Sequence, residues 1–102
     1  MKHIFLILKF IQQANMNGDI LLKKDFPLDE LEVNEIQLNM YLKNLYDSGY
    51  ITGIFPVKMY GGKIGIKVSN PTITIKGMQY LEENSEMKKL YNLLKEIKFW
   101  IS

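Results

Sequence analysis

Between Asn34 and Asn44 this chain carries side chains able to contact polar edges: the amides of Asn34, Gln37, Asn39 and Asn44, and the ammonium of Lys43. An amide donates and accepts at once, which matches the edge of adenine, while lysine reaches guanine or phosphate. A second set lies around Gly61-Gly62, where Lys58, Lys63 and Lys67 stand with Tyr60. Lysines beside a hairpin tip suit a phosphate backbone or a minor groove. The two sets differ in their surroundings. From Leu28 to Ser48, Asp29, Glu30, Glu32, Glu35 and Asp47 face Lys43 alone, which disfavours contact with phosphate. Ile36 and Met40 on the same outward face suit a protein partner instead. From Tyr50 to Leu81 there are Lys58, Lys63, Lys67 and Lys76 and no acid. Such lysines also keep an exposed strand edge soluble, and that plainer role stands beside the first.

Other chemistries are thinly represented. With no cysteine and a single histidine, His3, there is no thiolate nucleophile and no zinc-ligand spacing. A reducing, cytoplasmic setting follows as the expectation. Neither a metal nor a cofactor is expected. Glu82, Glu83 and Glu86 sit at a helix junction where solvation and capping explain them, and Gly61-Gly62-Lys63 lacks the strand–loop–helix setting of a phosphate loop. No catalysis is expected. All thirteen basic residues are lysine, so the bidentate arginine contact to guanine is absent, and the net charge of +2 is a weak pull on any polyanion. The apolar run Ile4–Leu8 is interrupted by Lys9 and followed by Gln12-Gln13, a pattern of a first core helix rather than a leader or a membrane span.

The elements that must position these groups read as one α+β domain over residues 1–102. Ile4, Ile7, Leu8 and Ile11 repeat at helical spacing, predicting a helix over about 2–14 that ends in the turn cluster Asn15–Asp19. Ile20–Leu22 is a candidate short strand. Helices are expected over about 28–33 and 34–48, the latter capped by Asn34 and stopped at Gly49. Strands follow at about 50–55, ended by Pro56, and 63–68, with Ile64, Ile66 and Val68 on the covered face and Lys63, Gly65 and Lys67 on the wet one. Ser69-Asn-Pro71 reads as a turn. Thr74 caps a helix over about 75–84, and a last helix over 86–101 carries an apolar stripe with Phe99 and Trp100. This order is that of a winged helix-turn-helix: a three-helix core, a two- or three-stranded antiparallel wing and two carboxy-terminal helices.

Three segments carry a resemblance to a known family. They are Ser48-Gly-Tyr-Ile-Thr-Gly-Ile54, Ile73-Thr-Ile-Lys-Gly-Met-Gln-Tyr-Leu-Glu-Glu-Asn-Ser85 and Tyr91-Asn-Leu-Leu-Lys-Glu-Ile-Lys-Phe-Trp-Ile101. In these the chain resembles the YjcQ-like family, small winged-helix proteins of Firmicutes and their mobile elements, including phages. The resemblance implies the fold and no established activity. Two functions are therefore expected in order. The first is a DNA-binding regulator or mobile-element accessory protein, with Lys58, Lys63 and Lys67 on phosphate and Asn34, Gln37, Asn39, Lys43 and Asn44 near bases. The second is a protein-interaction module on the winged-helix frame that uses Ile36, Met40 and the acidic second helix as its contact surface, with Met87, Phe99 and Trp100 as anchors for a homodimer or another partner.

Overall fold

The computed structural model describes residues 2–62 and 64–84. The expected helix over 86–101, with Met87, Phe99 and Trp100, lies outside the described residues, as does Lys63. Helix α1 (Lys2–Asn17) is followed by a single 3-10 turn at Lys23–Asp25, then by α2 (Leu28–Leu31) and α3 (Glu35–Asp47). Strands β1 (Ile51–Lys58) and β2 (Ile64–Ile73) form an antiparallel pair around a tip at Tyr60–Gly62, and α4 (Ile75–Glu83) closes the described part. The architecture is α+β.

Helix α1 is the centre of the core. Phe5, Leu6, Ile7 and Leu8 are all buried, and Ile11 and Ala14 continue the covered side. Successive helical residues point about 100° apart, so four consecutive buried positions mean that α1 is enclosed around most of its circumference. It touches α2, α3, α4 and β2. Leu38, Leu42 and Leu45 of α3, Ile51 and Ile54 of β1, and Leu81 of α4 complete the cluster.

Helix α1 reaches Asn17, beyond the predicted end at residue 14, because Asn15 serves as a bridge rather than a breaker. Its side-chain carbonyl accepts from the Ile73 N–H at 2.8 Å and its amide donates to the Pro71 carbonyl at 3.2 Å. The side chain thus supplies the donor and acceptor that a neighbouring strand would offer. Residues 20–22 form no strand in the described chain. Leu21 makes one rung only, accepting from the Asn70 N–H at 3.1 Å and donating to the Asn70 side chain at 3.0 Å.

The hairpin is longer than expected on both arms. β1 runs through Pro56, which stands opposite Ile66, and continues to Lys58. In a two-stranded ribbon each strand has a free edge, the position where proline's missing N–H costs no ladder bond. Ser69-Asn-Pro71 is a bulge inside β2 instead of a turn at its end: Thr52 pairs with Thr72, but Ile54 pairs with Val68. Gly53 lies opposite the extra residues with φ +83°, and a Cβ there would come within 2.7 Å of the Ser69 carbonyl oxygen. Only glycine satisfies both the left-handed backbone and that approach. Gly65, expected on the wet face, is buried beneath Met59 and Val57, since a residue without a side chain leaves a depression that its neighbours fill.

Candidate functional site

Helix α3 is positioned from both ends by local chemistry. At its start the Asn34 side-chain oxygen accepts from the Gln37 N–H at 2.8 Å, and the Gln37 side-chain oxygen accepts from the Asn34 N–H at 2.9 Å. This reciprocal box satisfies two donors that would otherwise be unpaired. At its end Gly49 takes φ +81°, while the Tyr50 N–H reaches the Leu45 carbonyl at 2.9 Å and the Gly49 N–H the Tyr46 carbonyl at 3.0 Å. That pattern satisfies the last carbonyls and turns the chain directly into β1. Leu38, Leu42 and Leu45 face inward, and Ile36 and Met40, 80% and 50% exposed, face out.

Two of the four amides assigned to base contacts, Asn34 and Gln37, have other work. An adenine fork needs the amide oxygen to accept and the amide nitrogen to donate. In Asn34 and Gln37 the oxygen already holds a backbone N–H. The Asn39 side-chain oxygen is turned out of solvent and has no hydrogen-bond partner among the described residues. Lys43 is paired with Asp47, one turn on, at 2.7 Å. Asn44 is exposed beside an open cleft lined by Ile4, Tyr41, Leu45, Ser48, Tyr50 and Tyr80. Lysines from elsewhere also serve the carboxylates around this helix: Lys2 reaches Glu32 at 2.9 Å and Lys23 reaches Glu35 at 3.7 Å. The hydrogen bond from Lys2, and then its charge, hold the Glu32 carboxyl below the usual carboxylate range. Asp29 and Glu30, in the exposed first turn of α2, make no ion pair among the described residues.

The hairpin presents its lysines differently from the expected cluster. Side chains alternate along a strand, and the register sets Phe55 opposite Lys67 and Val57 opposite Gly65. Lys67 thus shares the outer face with Phe55 and Val57. Lys58, opposite position 64, belongs to the other face with Ile54, Pro56 and Ile66. Lys58 and Lys67 therefore flank the ribbon on opposite sides. Tyr60 at the tip is fully exposed.

Sequence reasoning missed the part played by Thr74 and Gly77 in holding hairpin and helices together. The Thr74 hydroxyl accepts from the Gly77 N–H at 3.1 Å and donates to the Gly49 carbonyl at 2.6 Å, while its own N–H reaches the Tyr50 carbonyl at 3.0 Å. One residue thereby caps α4 and ties it to the end of α3. Gly77 is buried where a Cβ would strike the Tyr50 carbonyl oxygen and lie 2.7 Å from Ile73 Cγ1. The signal was in the sequence as Thr-Ile-Lys-Gly, but nothing local said which backbone the glycine must approach. Beside it the Tyr50 and Tyr80 rings lie 5.2 Å apart and Lys76 sits over the Tyr50 ring at 5.4 Å. Burial, and then the neighbouring Tyr50, push the Tyr80 hydroxyl above the usual tyrosine value.

Among the described residues no cluster of histidine, cysteine or carboxylates could hold a metal, and no helix is long and apolar enough to cross a membrane. A family model described as YjcQ protein matches residues 5–100. The chain belongs to the YjcQ family. No curated protein and no solved structure matches it. The YjcQ match takes in α3, the hairpin and the Thr74–Gly77 junction.

Proposed function

We propose that this protein is a winged-helix DNA-binding accessory protein or regulator, of a bacterium or its mobile element, that grips the phosphate backbone with its wing. α1, α2 and α3 form the helical core, and the β1–β2 hairpin is the wing. The observation that carries the reading is the asymmetry of the two surfaces. The hairpin supplies Lys58 and Lys67 on its two sides with no acid between Tyr50 and Leu81, whereas Asn34, Gln37 and Lys43 are committed within α3 itself. Phosphate contacts position a protein without reading sequence. Binding is then driven by counterion release and varies little with base sequence. Neither a cofactor nor catalysis forms part of this reading, and a cytoplasmic site of action does.

Titration of labelled protein with several unrelated duplexes at low salt tests it. Amides near Lys58, Tyr60 and Lys67 should shift with every duplex, and the shifts should fade as salt is added. No shift with any duplex at low salt would defeat the proposal. A second reading, a protein-interaction module, is favoured by one specific feature: Ile36 and Met40 stand exposed one turn apart on the face where base contacts would otherwise lie. Shifts confined to α3, insensitive to salt and elicited by a protein rather than DNA, would support it.

A further inference from the structure

We propose that a second copy of this chain covers the outer face of the hairpin with its own α2–α3 surface, in a head-to-tail contact. The outer hairpin face carries a stripe of exposed apolar side chains, Phe55, Val57 and Met59, with Lys67 opposite Phe55. A stripe of this kind on a ribbon only two strands wide is a surface that a partner protects. The α3 face offers the complement. Ile36 and Met40 form an exposed apolar pair, Glu35, shared with Lys23, lies beside Ile36 in sequence, and Asp29 and Glu30 in the first turn of the preceding helix make no ion pair among the described residues.

The signs of charge decide the symmetry. Hairpin against hairpin would set Lys67 against its own copy, and α3 against α3 would set carboxylates against carboxylates. Like charges across an interface are unfavourable, whereas the unlike faces match in both charge and apolar content. A contact between two different patches of one chain is heterologous. It leaves one free face of each kind at the ends and so admits further copies. The contact uses Lys67, one of the hairpin lysines assigned above to phosphate, so carboxylates of one copy compete with DNA for that side of the hairpin of another. That competition rests on the DNA-binding reading; the contact between copies does not.

The test is made without DNA, by sedimentation equilibrium and light scattering on the full chain. At low salt the mass average should rise with concentration past the dimer and fall as salt is added. Ile36→Lys removes one face and Val57→Asp the other; both positions are exposed, and circular dichroism checks that each variant folds. Each variant alone should remain at the mass of one chain. An equimolar mixture retains one intact hairpin and one intact α3 face, so it should give a complex of twice the chain mass that does not grow further. Wild-type protein that stays at one chain mass at every concentration and salt overturns the proposal. So does dimerisation of either variant alone. DNA binding by a chain that never self-associates would leave the function standing and remove this contact, and self-association without DNA binding would do the reverse.

Discussion

Gly77→Ala sets two opposed effects against each other, and the geometry decides the sign. Alanine is favoured over glycine inside a helix by about 1 kcal/mol, so propensity alone forecasts a more stable α4. Against this, the added methyl strikes the Tyr50 carbonyl oxygen and lies 2.7 Å from Ile73 Cγ1. The carbonyl cannot swing aside freely, because it accepts the Thr74 N–H at 3.0 Å. Relief requires α4 to move away from the start of β1, which also stretches the 2.6 Å bond from the Thr74 hydroxyl to Gly49. Overpacking of this sort costs roughly 1–3 kcal/mol, and a weakened hydrogen bond about 0.5–1.5 kcal/mol more. After the propensity gain is subtracted, the variant should be less stable by roughly 0.5–3.5 kcal/mol. For a domain of this size that lowers the thermal midpoint by about 4–8 °C per kcal/mol. Urea unfolding followed by circular dichroism measures the difference, with Gln79→Ala, an exposed position on the same helix, as a control near zero. A Gly77→Ala protein as stable as wild type, with unmoved Tyr50 and Thr74 amide signals, would refute the close approach of α4 to β1.

Gly53→Ala should also destabilise, by about 1–3 kcal/mol, since strain at positive φ adds to the clash with Ser69, and amide exchange should rise first at Ile51–Ile54 and Val68–Ile73. Asn34→Ala removes one half of the capping box and should lower the unfolding free energy by about 1 kcal/mol in the same urea assay. In a carboxyl-detected pH titration Glu32 should ionise below the ordinary glutamate value, and Lys2→Met should raise it back towards that value. Because its folded pKa is depressed, the stability it contributes is present above the unfolded value and is lost as pH falls through the folded one. On the DNA-binding reading, Lys58→Gln and Lys67→Gln should each reduce the magnitude of the salt slope, log K against log salt, by about 1, equally for unrelated duplexes. An unchanged slope in both would remove the hairpin from the contact.

Local signals carried far in this chain. Asn34 followed by Gln37 announces a helix start because a capping box is completed within four residues, and Gly49 announces its end because the left-handed cap needs no distant partner. The inward set Leu38, Leu42 and Leu45 is a matter of helical period alone. The α+β class and the YjcQ family were legible for the same reason. Pro56 and Ser69–Pro71 misled because each is a turn signal in isolation, yet a free strand edge accommodates the one and a glycine opposite accommodates the other.

The candidate site was legible in composition and not in arrangement. Sequence by itself determined that hairpin cations are lysines, that carboxylates gather on α2 and α3, and that apolar residues mark the outward side of α3. Tertiary structure decided which polar groups are already engaged: Lys2 and Lys23 cross from other elements to Glu32 and Glu35, and Asn15 and Thr74 join segments far apart along the chain. It also set Lys58 and Lys67 on opposite sides of the ribbon, since pairing and the bulge fix which residues share a face. The physical reason is range. Caps, periods and charge are fulfilled within a turn or two of backbone, whereas a free hydrogen-bonding group and a shared face exist only once distant segments have packed.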